Sequence, residues 1–151
     1  MNVKTQTPRG TERAAKGPKE KMKRTEGLYE FVKPLASLSA GMLYLAEAGH
    51  ERLTINQAAF FLLVAAADAR GAPLTLQEIL DSTEGIIGRS IQNSYKVLLE
   101  PRGRDPKDYA LGWLSREVDP DDERRKYLRL TQKGRDVASA VMLATGQLKA
   151  H

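Results

Sequence analysis

The sequence contains no cysteine and only two histidines, His50 and His151. A disulfide framework, a thiol sensor, a cysteine nucleophile, an iron–sulfur cluster and a zinc finger are excluded, because thiolates and imidazoles supply their ligands. Long apolar runs are also missing. The longest, Ala58 to Ala67, is ten residues, well short of the ~20 that span a bilayer. The charged N-terminus has no apolar signal region behind it, so a cytoplasmic, nucleoid-associated location is expected. Neither G-x-G-x-x-G nor a P-loop occurs, and His50 lacks an accompanying Ser or Cys motif or carboxylate dyad. The residues therefore give no chemical support for an enzyme and imply no cofactor.

What is present suits one ordinary domain of 151 residues, 41% hydrophobic and 28% charged, long enough to build a core without a staple. Its net charge of +5 is unevenly spread: residues 1–24 carry eight bases against two acids, which leaves residues 25–151 at −1. The basic excess thus lies in the first 24 residues, where Pro8, Gly10, Gly17 and Pro18 interrupt the chain. Too little apolar surface is available there to offset ordering entropy, so 1–24 is expected to be a disordered basic tail. Either it solubilises the chain or it tracks phosphates beside a folded DNA reader.

From Leu28 the periodicity becomes helical. Leu28, Phe31, Leu35, Leu38, Met42 and Leu45 follow a seven-residue repeat, a narrow seam that faces a partner helix or the chain's own core. Pro34 predicts a helix starting near Lys33, with Leu28 to Val32 as a separate piece. Thr54-Ile-Asn-Gln57 reads as a capping box opening a helix to about Arg70, apolar nearly all round and so expected to be central. Thr75-Leu-Gln-Glu78 is a second capping box, opening a short helix through about Thr83 with Leu76, Ile79 and Leu80 inward. Gly85 permits a tight turn before a helix from about Arg89 to Leu99, which buries Ile91, Tyr95 and Leu98. Residues 101–110 read as a loop. Period two then marks Trp113–Val118 and Lys126–Leu130 as a hairpin around the polar turn 119–125. Thr131 caps a last helix with Val137, Val141, Ala144 and Leu148 on one stripe, reaching almost to the C-terminus.

The expected fold is mostly α with a small β-hairpin wing: a winged helix-turn-helix over 25–151, flanked by N- and C-terminal dimerisation helices. A major groove about 12 Å wide admits a helix that is polar on one side, and a basic hairpin tip reaches the adjoining backbone or minor groove. Arg89, Ser90, Gln92, Asn93 and Lys96 lie on or beside the face opposite Ile91, Tyr95 and Leu98, and Arg, Gln and Asn make bidentate contacts to base edges. Arg124 and Arg125 occupy the hairpin tip. The bland alternatives are a solvated helix and a surface turn whose arginines pair with Asp121, Asp122 and Glu123. The acids Asp119, Asp121, Asp122 and Glu123 lack the spacing of a calcium loop, so no metal site is expected. Trp113, Tyr109 and Tyr127 are read as packing the base of the wing rather than stacking on bases.

The segment Asp119-Pro-Asp-Asp-Glu-Arg-Arg-Lys-Tyr-Leu-Arg-Leu-Thr-Gln-Lys-Gly134 resembles the multiple-antibiotic-resistance-regulator (MarR) family of bacterial transcription factors. Members carry a D-x-R wing, an alternating strand and L-T-x-x-G opening a dimerisation helix, matched here by Asp122, Arg124, Leu130, Thr131 and Gly134. Weaker similarity extends over about 28–148, although loop 101–110 is longer than is usual there and little chain follows Leu148. The resemblance implies that Arg124 is the wing-tip arginine entering the minor groove, that Asp122 orients it, and that Arg89 to Lys96 form the recognition helix. It also implies a homodimer, with a small-molecule effector possible and unidentified. The expected function is a sequence-specific double-stranded-DNA-binding regulator, a repressor acting on a pseudo-palindromic site. Two alternatives stay open: a replication, partition or nucleoid-associated DNA module, and a winged-helix protein–protein adaptor.

Overall fold

The computed structural model describes residues 27–101 and 110–147. The chain divides into two units, 1–32 and 33–151. In the first, Tyr29–Phe31 form a 3-10 turn closed by the Phe31 N–H on the Leu28 carbonyl, and Leu28, Phe31 and Val32 are exposed. Helix α1 spans Val32–Ala48. Pro34 stands in its first turn, where a missing N–H costs no intrahelical bond, as its position in the sequence predicts.

The second unit is mostly helical with one two-stranded antiparallel sheet. Helices α2 (Ile55–Ala69), α3 (Leu76–Ser82), α4 (Ile91–Ser94) and α5 (Gln132–Ala144) surround strands β1 (Leu114–Val118) and β2 (Lys126–Leu130). Both capping boxes form. The Thr54 and Thr75 hydroxyls each accept the N–H three residues on, and Gln57 and Glu78 each accept the cap residue's own N–H. Among the described residues no helix is long and apolar enough to cross a membrane.

The core lies between α2, the sheet and the segment around α4. Phe60, Phe61 and Val64 of α2 are buried against Ile79, Ile91, Leu98, Trp113, Leu114 and Leu128. Phe61 meets Trp113 with ring centroids 4.9 Å apart, and Phe60 meets Tyr95 at 5.6 Å. Trp113 is wholly buried and therefore a core residue; Tyr109 lies outside the described residues. Helix α2 is less enclosed than its composition predicts. Ile55, Ala59, Leu63 and Ala66 form an exposed stripe, since the sheet and α4 cover only the other faces.

Two further segments border the sheet. Leu128 donates its N–H to the Leu74 carbonyl on one edge, while Leu99 bridges Leu114 in parallel on the other. Because Thr75 is both a bridge residue and the cap of α3, that helix starts directly from the edge of β2. The helix expected over 89–99 is shorter. Only Ile91–Ser94 are α-helical, a 3-10 turn follows over Tyr95–Leu98, and Leu99 is extended. The physical reason is the bridge to Leu114, which requires the chain to leave the helix before Leu99. Eight residues, 83–90, separate α3 from α4, and Glu84 (φ +50°) with Gly85 (φ +80°) makes the turn there.

Helix α5 buries Val137 and Val141 as its stripe predicts, but Ala144 is exposed and the helix ends there. Gly146, at φ +75°, terminates it as its N–H and that of Gln147 return to Leu143 and Met142. Leu148 falls outside the described residues, as do the tail 1–24 and most of loop 101–110.

Candidate nucleic-acid interface

Polar residues around α4 are spaced by the helical rule. Arg89, Gln92, Asn93 and Lys96 stand at i, i+3, i+4 and i+7; Gln92 and Asn93 lie on α4, Arg89 in the turn before it and Lys96 in the 3-10 turn after it. These four and Ser90 are exposed, whereas Ile91, Tyr95 and Leu98 are buried. The segment is anchored from two sides. Gln57 of α2 donates its side-chain N–H to the Ser94 carbonyl at 3.0 Å. From the sheet, the Arg116 guanidinium lies over the Tyr95 ring, 5.4 Å from its centroid, and donates to the Tyr95 hydroxyl at 2.5 Å.

Arg116 is a residue that the composition of the polar face does not reveal. Its signal is alternation: in β1 it shares a face with Leu114 and stands opposite the buried Leu128. A charged side chain on the core side of a strand calls for a specific partner, and Tyr95 supplies it.

The hairpin tip is built by its acids. Asp119 accepts the Asp121 N–H at 2.8 Å and the Tyr127 hydroxyl at 2.7 Å, and Asp122 accepts the Arg124 N–H at 3.0 Å. The Tyr127 hydrogen bond, then the Asp121 N–H, hold the Asp119 carboxyl below its ordinary range; reciprocally, Asp119 raises the Tyr127 phenol above its own. The D-x-R pattern therefore has a local meaning here. Asp122 shapes the backbone that carries Arg124 and makes no hydrogen bond to the Arg124 guanidinium among the described residues.

The two tip arginines differ. Arg125 donates to Glu78 of α3 at 2.8 Å and lies 5.5 Å from the centroid of the Tyr127 ring. Arg124 is exposed and has no side-chain partner among the described residues. A groove of about 600 Å³ separates α3 from the hairpin, lined by Gln77, Glu78, Arg116, Arg124, Arg125 and Lys126 among others. Four cations thus face one carboxylate. This local excess arises although residues 25–151 together carry −1, and it lies where α3 and the hairpin approach each other.

Two positions give the site its rigidity. Asp68, near the end of α2, accepts the Leu130 N–H at 2.8 Å and the Arg129 guanidinium at 2.7 Å, which fixes β2 to the central helix. Thr131 accepts the Gly134 N–H and donates its hydroxyl to the Gly112 carbonyl. No group of His, Asp or Glu suited to holding a metal ion occurs among the described residues. Comparison of the chain with family models, with curated proteins and with solved structures yields no match.

Proposed function

We propose that this chain is a sequence-specific double-stranded-DNA-binding regulator built as a winged helix-turn-helix of the MarR type. The observation that carries the reading is the pairing of an exposed polar face with a cationic hairpin groove. Arg89, Ser90, Gln92, Asn93 and Lys96 present the donors and acceptors that read base edges in a major groove, and Arg124 reaches toward the flanking backbone or minor groove. Arg116 and Gln57 act behind them by holding the segment still. The resemblance of residues 119–134 to the MarR wing and the L-T-x-x-G opening of α5 supports the same assignment.

A homodimer completes the reading. Leu38 of α1 and Met142 of α5 line one shallow cavity, about 420 Å³, and both are exposed along with Leu35 and Leu143. Burying such a surface against a second copy would place two reading segments on successive major grooves, with half-sites one helical turn, about 10 bp, apart. Repression is the simplest consequence, because a dimer seated on a promoter excludes the polymerase.

Selection from a randomised duplex pool, followed by binding to the enriched site, tests this proposal. Asn93→Ala is expected to relax preference at one base pair of each half-site by about 1–3 kcal/mol. Arg124→Gln is expected to weaken binding to every sequence and to lower the salt slope by about one. No enriched sequence, with retention of DNA only through the basic tail, would favour the non-regulatory module; no retention at low salt would favour the adaptor, for which the acids Asp121, Asp122 and Glu123 at the tip argue.

A further inference from the structure

Glu78 serves two groups at once. One carboxylate oxygen accepts the Thr75 N–H at 2.8 Å and completes the α3 capping box. The other accepts from Arg125 at 2.8 Å, 47 residues away on the hairpin. Capping needs a side-chain acceptor and no charge, since Gln fills this position as Glu does. Its charge suits the first turn of α3 and also pairs with Arg125.

Of the four cations lining the groove, Arg125 alone is ion-paired among the described residues. Both partners are exposed, with side chains 47% and 40% accessible, so the pair is weak and its arginine can be transferred to another anion. Arg124, next in the chain, has no such partner.

We propose that Glu78 competes with the DNA backbone for Arg125, weakening one phosphate contact and so limiting the sequence-independent share of affinity. This inference rests on the DNA-binding reading above. Each neutralised phosphate contributes about −0.9 to the slope of log affinity against log salt. With Glu78 in place Arg125 makes less than a full phosphate contact beside Arg124 and Lys126. Without its charge, Arg125 makes that contact in full and the slope steepens by up to one contact. Glu78→Gln is a clean probe because the cap survives.

The experiment is fluorescence anisotropy of the full chain on a mixed-sequence duplex of about 20 bp, two helical turns, over a salt series. Wild type, Glu78→Gln, Arg125→Gln and the double variant are compared, with thermal melting to verify that each folds. Glu78→Gln is expected to bind several-fold more tightly at low salt, with a slope steeper by up to about 0.9. Arg125→Gln is expected to weaken binding and flatten the slope less in the wild-type background than in the Glu78→Gln background, where it abolishes the gain. An unchanged slope in Glu78→Gln, or an equal effect of Arg125→Gln with and without the Glu78 charge, overturns the proposal while leaving the DNA-binding reading intact. Absence of duplex binding by every variant overturns both.

Discussion

Gly134 lies against the backbone of Trp113 so closely that a Cβ there would collide with the Trp113 carbonyl oxygen and crowd its carbonyl carbon. The neighbour is backbone, held by the Thr131 N–H on the same Trp113 oxygen, and it has no rotamer by which to yield. Gly134→Ala is therefore expected to cost about 3 kcal/mol, at the upper end of overpacking effects, read as a lowered urea midpoint with unchanged m-value. A loss below about 0.5 kcal/mol, the ordinary surface value, would contradict this packing. Single residues also mark the limits of what the chain's letters reveal. Thr131 is legible as a cap, but the requirement for Gly134 depends on Trp113, 21 positions earlier. Arg124 and Arg125 look equivalent in sequence; Glu78, distant in the chain, distinguishes them. Arg116 carries a signal in the alternation of β1, yet only the fold identifies Tyr95 as its partner.

At the scale of elements, the hairpin depends on ionisation. Asp119 has a lowered pKa in the folded chain, so its contribution is present above the unfolded-state value and is lost as pH falls through the folded value. Tyr127 has a raised pKa, and its contribution is present below the ordinary phenol value and lost as pH rises through the folded one. Tyr127→Phe removes the largest cause of the Asp119 shift. Titration of the Asp119 carboxyl by NMR is expected to move up toward the ordinary aspartate value in that variant, with the hairpin loosening at a correspondingly higher pH. An identical Asp119 titration in both proteins would show that the backbone N–H groups of Asp121 and Asp122 and the charge of Arg125 sustain the shift without the phenol. Helix starts were the most legible elements, because both capping boxes are local chemistry and both form. Helix ends were less so. The period of residues 89–98 fits a full helix, but the bridge from Leu99 to Leu114 converts its second half into a 3-10 turn and an extended exit. The stripe on α5 likewise continued in sequence past Ala144, where Gly146 ends the helix.

For the whole molecule, the distribution of charge matters more than its total. Residues 1–24 carry +6 and the remainder −1; among the described residues cations gather locally around α3, α4 and the hairpin, with the exposed amides of Gln92 and Asn93 nearby in the chain. Phosphate attraction and base readout respond differently to salt, so a salt series separates binding through the tail from the sequence-specific reading proposed for the rest. The most direct test is fluorescence anisotropy of the full chain on the duplex upstream of its own coding sequence and on a scrambled duplex, each at low and physiological salt. The proposed regulator, acting on its own promoter, predicts a preference above about a hundredfold that persists at physiological salt, within the range of specific protein–DNA complexes. Equal affinities for the two duplexes, collapsing together as salt rises, would contradict it and assign DNA binding to the basic tail.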